Sequence, residues 1–388
     1  MNIPKYIKDV LKSLSDNGFE GYMAGGCVRD SIMGNIPNDY DVTTNATPDE
    51  MIDCFKHFKV IPTGLKHGTL TVVSEGENIE VTTYRIDGEY ADNRHPQNVT
   101  FTTNLKDDLS RRDFTVNAMA MDVDGNIMDF YGGKSDIQNK IIKCVGNPQK
   151  RFNEDGLRIM RCVRFASTLG FDIQKDTADA VHQNKRLLKN ISKERILTEL
   201  SKLVLGKNAY SVITEFSDVI NEVVPFVNDN NFVYYKKPCD DLYVRLALLF
   251  DEGDKAQAAL NELKCDNYTK KQVKNLIDAN VKSDWDKTQI KKHLAKYGED
   301  TFCRHILYEN IKNNEDYSNV NKLFEQIVQN GECYKISMLD INGDEVISLG
   351  ASGRQTGQIL SELLDMVVCG KIQNQNKILK IKAKEIME

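Results

Sequence analysis

Residues 21–42 read GYMAGGCVRDSIMGNIPNDYDV and combine several local signals. A short strand pattern leads into Gly25 and Gly26, and a helix pattern follows with Arg29 in its first turn. Paired glycines let a ligand approach the backbone, and the first amides of a helix are free to bind an anion. The arginine adds a guanidinium group that suits a phosphate. The stretch therefore predicts a phosphate-binding turn, with an ordinary tight strand-to-helix turn as the alternative.

Two carboxylates follow this turn. Asp39 and Asp41 lie two residues apart, and on a β-strand such residues share one face. Two adjacent negative charges are unfavourable unless a cation lies between them, and Mg²⁺ is bound by carboxylate and phosphate oxygens. The pair therefore predicts catalytic metal ligands, with two solvated turn residues as the alternative. Glu80, in a later strand pattern, is either a third catalytic carboxylate or a solvent-facing strand residue.

The first 140 residues differ from the rest in their periodicity. Strand patterns occur at residues 21–24, 39–43, 68–74, 78–84, 118–122 and 127–131, and helix patterns at 3–17 and 47–54. Beyond residue 141, helical periodicity dominates, at residues 178–188, 193–205, 243–250, 255–263, 269–279 and 356–368. We therefore predict an α+β fold, in which an N-terminal mixed sheet precedes an all-helical remainder.

The charge of the chain is unevenly distributed. The 388 residues include 51 Lys and Arg against 57 Asp and Glu, a net charge of −6, which argues mildly against a nucleic-acid partner. However, residues 150–207 contain 13 basic and 7 acidic residues, and residues 270–296 contain 8 basic and 3 acidic residues. Such stretches are usually solvated helix faces, but they can also steer a polyanion to one side of a protein.

Simple counts also bear on the protein class. No apolar run approaches the roughly 18 residues that a membrane helix needs, and the first residues lack a secretory pattern. The nine cysteines are widely spread without a C-x-x-C pair, which predicts reduced thiols and argues against a zinc site. We therefore expect a cytoplasmic protein without a membrane partner.

Further motifs complete a recognisable pattern. They are R-R-D-F-T-V-N-A at residues 111–118, D-x-x-G-G at 129–133, E-D-x-x-R at 154–158 and S-K-E-R-I at 192–196. Together with G-G-x-V-R-D and D-x-D, this set resembles the class II nucleotidyltransferases of the polymerase-beta superfamily. That group contains the tRNA CCA-adding enzymes and the bacterial poly(A) polymerases. The resemblance is dense over residues 20–205 and faint beyond them.

The resemblance implies four domains along the chain. They are a catalytic nucleotidyltransferase head at residues 1–140, a neck that selects the nucleotide base at 141–205, a helical body at 206–270 and a helical, tRNA-binding tail at 271–388. Within the head, a positioned arginine suits triphosphate charge, so we predict that Arg112, Arg29 and the two glycines of the turn bind the triphosphate. Asp113 and Asn117 would hold ribose hydroxyls if their segment is helical. Capping and local hydrogen bonding are the alternative.

The E-D-x-x-R motif suggests how a base is chosen without a nucleic-acid template. On a helix, Asp155, Arg158 and Arg161 would lie close to one face. A carboxylate only accepts hydrogen bonds and a guanidinium only donates them, so Asp155 and Arg158 match the exocyclic amine and ring nitrogen of cytosine and adenine. Uracil and guanine present the opposite pattern. Arg161 and Arg164 would position this pair or the phosphates. The alternative is a surface ion pair between Asp155 and Arg158.

Two other segments are candidates for RNA chemistry. Residues 88–98, GEYADNRHPQN, form a polar run that is either a plain surface loop or, by the resemblance, the loop that accompanies addition of A. In the tail, a glycine-rich turn before a helix pattern at residue 358 either seats a phosphate or simply connects two helices. The tail residues predicted to contact RNA are Lys291, Lys292, Gly353, Arg354 and Gly357.

The expected function follows from the resemblance. We expect template-independent addition of C, C and A to the 3′ end of tRNA from CTP and ATP, by two-metal phosphoryl transfer with Mg²⁺ and release of pyrophosphate. An enzyme that adds only A, or a poly(A) polymerase, shares every motif. A non-catalytic RNA-binding relative is disfavoured because both Asp39 and Asp41 are present. The oligomeric state stays open.

Overall fold

The computed structural model describes residues 3–62, 64–88, 99–313 and 315–388. These residues form two compact units, one of Met1–Asp229 with Ala259–Cys265 and one of Asn230–Ala258 with Asp266–Glu388. The predicted α+β class is confirmed, because the first unit contains a mixed sheet and the chain continues in helices. Division into head, neck, body and tail remains a proposal.

The first unit is built on a mixed sheet with the order β3-β4-β5-β2-β1-β8-β9 in the described part of the chain. Within this sheet, β2 and β5 pair in parallel and the other neighbours are antiparallel. The remaining strands form two-stranded ribbons, β6 with β7 and β10 with β11. The strands are β1 Gly21–Ala24, β2 Asp41–Thr44, β3 Lys59–Ile61, β4 Thr69–Ser74, β5 Glu77–Thr83, β6 Arg85–Asp87, β7 Val99–Phe101, β8 Ala120–Met121, β9 Ile127–Met128, β10 Ile141–Ile142 and β11 Asp172–Ile173.

Short helices flank this sheet and longer helices follow it. The first, α1, buries its apolar face and ends before Gly18, whose φ of 83° lies in the left-handed region that favours glycine. The helices of the first unit are α1 Lys5–Asp16, α2 Gly26–Ile32, α3 Pro48–Cys54, α4 Leu105–Ser110, α5 Gly133–Asn139, α6 Pro148–Glu154, α7 Leu157–Leu169, α8 Lys175–Asn184, α9 Lys193–Val204, α10 Ala209–Glu215 and α11 Ser217–Val223. Short 3-10 helices lie at Leu65–His67, Thr115–Asn117 and Lys185–Asn190.

The register of the sheet brings distant segments to one edge. Ala24, the last residue of β1, is paired with Asp41, the first residue of β2, and Asp41 is paired with Glu80. A small core of Ala24, Tyr84, Leu105, Leu109 and Ala120 packs α4 close to the same strands. The glycine turn, the D-x-D segment and the R-R-D segment therefore converge, although they are far apart in sequence.

The second unit is helical. Two apolar clusters stabilise it, one around Phe302 and Ile306 and one around Leu363 and Leu379. Its helices are α12 Leu242–Ala247, α13 Gly253–Glu262, α14 Asn267–Asp278, α15 Lys287–Tyr297, α16 Glu299–Asn313, α17 Ser318–Gln329, α18 Gly343–Ser348, α19 Gly353–Val368 and α20 Asn376–Met387, with 3-10 helices at Asp229–Lys236 and Ile336–Met338. Residues of α13 belong to both units. Among the described helices, none has the length and apolar character required to cross a membrane.

Candidate active site

A cavity of about 680 Å³ opens at this edge of the first unit. Its lining contains seven basic and five acidic side chains, so its net charge favours an anion. The lining residues are Gly25, Gly26, Arg29, Asp30, Asn38, Asp39, Asp41, Arg111, Arg112, Asp113, Asn117, Asp155, Arg158, Arg161, Arg164, Phe165 and Lys202. Every nucleotide-binding residue and metal ligand predicted from the sequence is therefore in this lining. Of the three predicted catalytic carboxylates, Glu80 is the one that does not line the cavity.

Position 25 requires a glycine both because of its backbone conformation and because an arginine side chain lies close to it. Gly25 precedes α2 with a φ of 84°, a conformation that other residues rarely adopt. A Cβ atom at this position would lie 2.7 Å from Nη1 of Arg112. At Gly26 a Cβ atom would lie 3.6 Å from Nη2 of Arg29, an ordinary contact. Gly25 thus allows the Arg112 guanidinium to approach the turn, where both can face a phosphate.

The two aspartates reach the cavity from different backbone environments. The prediction that they share the face of one strand is wrong, since β2 begins at Asp41 and Asp39 lies in the preceding loop. The reason is that β1 ends at Ala24, which is paired with Asp41, so β1 has no residue that could pair with Asp39. Both carboxylates nevertheless line the cavity. Their approach to each other depends on the loop as well as on strand geometry.

The electrostatics of Asp41 suit a cation. Although its outer surface is open to the solvent, the surrounding protein atoms raise the pKa of this carboxyl group to about 6. Arg112 lowers the pKa, whereas the negative charges of Asp39 and Glu80 raise it. A carboxylate in such a position is stabilised by a nearby positive charge. Two oxygen-donor side chains fit a divalent metal that also binds substrate oxygens.

No cluster of three or more His, Cys, Asp or Glu residues arranged for a metal occurs in the described parts of the chain. Glu80 is exposed and does not line the cavity, although its charge acts on Asp41. Its catalytic role remains a prediction. The donor set predicted for a divalent metal remains the pair Asp39 and Asp41, both of which line the cavity.

A buried carboxylate that the sequence analysis missed organises the R-R-D segment. Asp108, in α4, is fully buried, and its Oδ1 accepts hydrogen bonds from Nε and Nη2 of Arg111 at 2.9 and 2.8 Å. Its Oδ2 lies 3.7 Å from Nη2 of Arg112 and accepts a hydrogen bond from Oγ1 of Thr43 at 3.2 Å. Asp108 therefore connects both arginines to β2, the strand that carries Asp41. Its position three residues before the R-R-D motif is the feature of the sequence that could have identified it.

The R-R-D-F-T-V-N-A segment turns through a 3-10 helix, not an α-helix. Nδ2 of Asn117 donates to Oδ1 of Asp113 at 3.2 Å, and Nη1 of Arg29 donates to Oδ1 of Asn117 at 2.7 Å. Nε and Nη2 of Arg161 both lie 2.7 Å from Oδ2 of Asp113. These contacts match the local hydrogen bonding that was the alternative for Asp113 and Asn117. A role in holding ribose remains a prediction.

Asp113 is held in its ionised form. Burial alone would raise the pKa of this carboxyl group, but Arg161, the Asn117 amide and Arg158 outweigh it and lower the pKa to about 2. In turn, Asp113 raises the pKa of Arg161 against the effect of burial. This ion pair holds the guanidinium group of Arg161 in a fixed orientation at the cavity.

The residues predicted to select the base also depart from the expected geometry. The prediction that Asp155, Arg158 and Arg161 share a helix face is wrong, because Asp155 lies between α6 and α7 with φ −138° and ψ 106°. Its Oδ1 accepts a hydrogen bond from the amide of Leu157 at 3.0 Å, which stabilises the start of α7. Its Oδ2 lies 3.4 Å from Nη2 of Arg195. Asp155 is thus positioned by capping and by an ion pair.

Arg158 is buried and held by three acceptors. Its Nη1 donates to Oε2 of Glu154 at 2.8 Å and to the carbonyl of Arg151 at 3.2 Å, and its Nη2 donates to the carbonyl of Arg111 at 2.9 Å. The alternative prediction paired Asp155 with Arg158 at the surface. Instead, Asp155 pairs with Arg195 and Arg158 with Glu154. Arg158 therefore reaches the cavity with a fixed orientation.

An aromatic ring that sequence reasoning missed lies beneath three of the arginines. The guanidinium carbons of Arg29, Arg161 and Arg164 lie 5.2, 5.3 and 3.5 Å from the ring centroid of Phe165. Such cation–π contacts favour a defined position of each charge. Burial lowers the pKa of Arg164, whereas the carboxylate of Glu199 raises it. Nε of Arg164 donates a hydrogen bond to Oε2 of Glu199 at 2.8 Å, which stabilises the charged guanidinium group. The R-F dipeptide after the E-D-x-x-R motif was the available signal.

The predicted tail residues lie in the second unit. Lys291 lies 2.6 Å from Oε2 of Glu332 and its side chain is only 15% exposed, so its charge is largely compensated. Lys292 is more exposed and lies 3.3 Å from Oδ1 of Asp365. Their contact with RNA remains a prediction, and the structure gives Lys292 the better access.

The glycine-rich tail segment is a helix start. The prediction of a turn before a helix at residue 358 is wrong, because α19 begins at Gly353, where Ser352 and Gln355 form a capping box. Gly353, Arg354 and Gly357 are exposed residues of the first turns of this helix. Of the predicted loop at residues 88–98, residues 89–98 lie outside the described residues.

Comparisons with known proteins cover most of the chain. Three family models match: the Poly A polymerase head domain at residues 21–143, the RNA- and SrmB-binding site of polymerase A at residues 170–218, and tRNA nucleotidyltransferase domain 2 at residues 240–383. The chain is 36% identical over 391 residues to the CCA-adding enzyme of Oceanobacillus iheyensis, covering 96% of this chain and 94% of that protein. It is 33% identical over 382 residues to that of Staphylococcus saprophyticus, covering 95% and 94%.

A solved structure shares the same architecture. The crystal structure of the Bacillus stearothermophilus CCA-adding enzyme in complex with CTP superimposes with a TM-score of 0.81 at 27% identity, over 99% of this chain and 98% of that chain.

Proposed function

This chain belongs to the CCA-adding enzymes of the class II tRNA nucleotidyltransferases, and we propose that it adds C, C and A to the 3′ end of tRNA from CTP and ATP. The observation that carries this proposal is the lining of one cavity. It combines two acidic metal-binding candidates, seven basic side chains and the Asp155–Arg158 pair. The first set suits phosphoryl transfer, the second suits a triphosphate, and the third suits the choice of a base.

We infer that the metal is Mg²⁺, held by Asp39 and Asp41. When bound, a divalent cation stabilises the negative charge that develops on the reacting phosphate and its leaving group. The raised pKa of Asp41 supports this role, because a nearby cation would stabilise its ionised form. Without a cation, the two carboxylates would instead repel the incoming triphosphate.

The triphosphate would be held by Arg112, Arg29 and the glycine turn. Nε of Arg112 is buried and has no hydrogen-bond partner among the described residues. A buried donor without a partner is costly, and a phosphate oxygen would satisfy it. Gly25 leaves room for this guanidinium group, and Asp108 orients it from the opposite side. Arg29, fixed by Asn117, adds a second charge.

Base choice would depend on Asp155 and Arg158. A carboxylate and a fixed guanidinium in the lining of one cavity present an acceptor and a donor, the complement of the amine and ring nitrogen shared by cytosine and adenine. Arg158 is held by Glu154 and by the carbonyl of Arg111, so the plane of its guanidinium group is fixed at the cavity. Uracil would place a carbonyl against the carboxylate, and such mismatched polar groups are strongly disfavoured.

The domain roles are assigned on the same basis. We assign catalysis to residues 1–140, base selection to 141–205, a helical scaffold to 206–270 and tRNA binding to 271–388. All nine cysteines are unpaired thiols, which supports a cytoplasmic location.

The direct test uses two RNA substrates and the purified protein. A tRNA transcript without its CCA end and one ending in CC are incubated with CTP, ATP or both, and the labelled products are separated by length. We expect three added nucleotides on the first substrate with both nucleotides present, and one added A on the second. Failure to add C to the first substrate would indicate an A-only enzyme, and long A tails would indicate a poly(A) polymerase.

Asp39 separates the enzyme from a non-catalytic RNA-binding relative. Replacement by alanine removes one of two proposed metal ligands, so we expect the incorporation rate to fall by at least 100-fold while RNA binding persists. Unchanged incorporation by Asp39→Ala would overturn the metal assignment.

A further inference from the structure

A second cavity of about 570 Å³ lies beside the candidate active site, and we call it the side cavity. The two cavities share Arg29, Asp30, Arg164, Phe165 and Lys202, so one continuous wall connects them. The ends of α7 and α9 supply the rest of the side cavity, with Thr168, Leu169, Leu205, Gly206 and Lys207. None of these five residues takes part in the proposed binding of the nucleoside triphosphate. The side cavity is therefore a separate surface that leads into the catalytic one.

The frame of the side cavity is tightly packed. Oγ of Ser167 donates to the carbonyl of Leu203 at 2.7 Å, and the amide of Asn208 donates to the carbonyl of Ser167 at 3.0 Å. A Cβ atom at Gly206 would lie 2.1 Å from Oγ of Ser167, so only glycine allows this approach of α7 and α9. A Cβ atom at Gly170 would likewise lie 2.6 Å from Cε of Lys207. The glycines thus place the Lys207 side chain across the end of α7, beside the cavity.

The two lysines of the side cavity differ from their neighbours. Lys202 and Lys207 are exposed, and neither has a carboxylate partner within the described ranges. The neighbouring lysines are paired: Lys185 with Asp218, Lys189 with Glu222, Lys193 with Glu262 and Lys264 with Glu194. Two uncompensated positive charges next to an anion-binding cavity attract a further anion.

The wall between these charges is apolar. Leu205 is 39% exposed although it is a large hydrophobic residue, and Leu169 beside it is half-buried. Exposed apolar surface between cations is the chemistry that binds a single-stranded nucleic acid, because bases pack on apolar side chains while phosphates contact lysines. A free inorganic anion would make no use of the leucines.

We propose that the side cavity binds the RNA strand just upstream of its 3′-terminal nucleotide, with phosphates at Lys202 and Lys207 and a base against Leu169 and Leu205. This inference rests on the proposed function, since it names a place for the RNA that the catalytic site extends. Lys202 lines both cavities, so a strand that crosses it from the side cavity can place its 3′-terminal nucleotide in the candidate active site. The two lysines thereby hold the end of the RNA, and Lys207 does so outside the cavity proposed for the incoming nucleotide.

The test compares charge removal at these lysines with charge removal at a paired one. Lys202→Met and Lys207→Met, singly and together, keep most of the side-chain stem and remove the charge. Lys189→Met is the control, because Lys189 lies in the same region but is paired with Glu222. The substrates are tRNA without its CCA end and an acceptor-stem minihelix of the same sequence, each with CTP.

We expect each single variant to raise the KM for either RNA on the order of three- to tenfold. The KM for CTP should stay the same in Lys207→Met, because Lys207 lies outside the lining of the candidate active site. The slope of log affinity against log salt should become less steep by about 0.7 for each phosphate that no longer meets a lysine. Lys202→Arg should retain wild-type affinity, because it keeps the charge. The control should resemble the wild type in both measurements.

Two results would overturn this inference without affecting the proposed function. If the wild type adds C and the double variant has the RNA KM and salt dependence of the control, the RNA subsite is wrong. If the double variant changes only inhibition by added pyrophosphate, the cavity binds a free anion and not the RNA strand. Failure of the wild type to add C would instead overturn the proposed function itself.

Discussion

The contacts of Phe165 show how a single residue can organise a charged site. Arg29, Arg161 and Arg164 all approach its ring, although they come from two helices and repel one another. The ring offers each guanidinium an attractive face, and the buried carboxylates Asp113 and Glu199 balance two of the charges. The arginines are therefore held in position without a ligand, which would reduce the ordering required to bind the triphosphate that we propose for this site.

We predict that Phe165→Leu weakens nucleotide binding more than it weakens the fold. Leucine retains much of the apolar volume but removes the cation–π contacts, each worth about 0.5–2 kcal/mol. The KM for both CTP and ATP should rise by roughly tenfold, as measured by steady-state incorporation. Val163→Ala, in the core of the same helix, is the control: it should lower the melting temperature without changing either KM. Equal effects of the two variants on KM would contradict this role.

At the scale of elements, α4 and β2 are joined through one carboxylate. Asp108 is buried, binds Arg111 and accepts a hydrogen bond from Thr43 of β2. The carbonyl of Arg111 in turn accepts a hydrogen bond from Arg158, so the same connection extends to α7. The helix, the strand and Arg158, for which we propose a role in base selection, are thereby held in one network.

We predict that Asp108→Asn disturbs this network. The amide preserves the size of the side chain but removes the charge that balances Arg111 and Arg112, and breaking a buried ion pair costs on the order of 3 kcal/mol. Urea denaturation should show a decrease of this size in the free energy of unfolding, with a higher KM for nucleotides. The neighbouring Asp107→Asn, at a half-buried position, is the matched control and should change stability by less than about 1 kcal/mol. A stability of Asp108→Asn equal to that of the control would refute the network.

The local sequence pattern predicts many helices and strands, but it does not predict the residues at which they begin and end. The start of α3 could be predicted because Thr47, Pro48 and Glu50 form a capping box within four residues. Asp39 and Asp155 were placed on elements that begin after them, since the end of β1 and the capping of α7 decide those boundaries. Periodicity carries no information about where a neighbouring strand stops.

Long-range contacts explain what else was missed. Asp108, Phe165 and Lys202 join segments far apart in sequence, and the motifs next to them do not show which distant residues they contact. The motif residues themselves could be predicted because the family resemblance placed them together. Their hydrogen-bond partners, such as Glu154 for Arg158 and Arg195 for Asp155, could not.

At the scale of the whole molecule, the net charge of −6 conceals local differences. The basic excess at residues 150–207 includes the arginines of the cavity and the two unpaired lysines beside it. Four other lysines in this stretch are paired with carboxylates, namely Lys175, Lys185, Lys189 and Lys193. The available positive charge is therefore concentrated near the candidate active site, which suits an RNA-binding enzyme whose overall charge is negative.

The second unit should become less stable in mild acid. Burial lowers the pKa of His293 to about 3, with a smaller contribution from His305, and the ring nitrogens of His293 have no partner among the described residues. In the unfolded chain its pKa returns to about 6.5. The unfolded state therefore binds an extra proton between these values, so the contribution to stability is complete above pH 6.5 and decreases towards pH 3.

We predict that His293→Phe makes stability less dependent on pH. The aromatic ring can pack among Trp285, Tyr297 and Phe302 without a titrating group. The decrease in unfolding free energy between pH 7 and pH 5, measured by urea denaturation, should be smaller in the variant than in the wild type. Identical decreases in both proteins would show that His293 is not responsible.

The central claim is that side chains of this cavity choose the base, and single-nucleotide incorporation by Asp155→Ala tests it most directly. Incorporation of CTP and of UTP onto a tRNA without its CCA end is measured separately for the wild type and the variant. Loss of the carboxylate removes the acceptor that excludes uracil, so we predict that the preference for CTP over UTP falls by at least tenfold. An unchanged preference in a folded, active variant would contradict the claim.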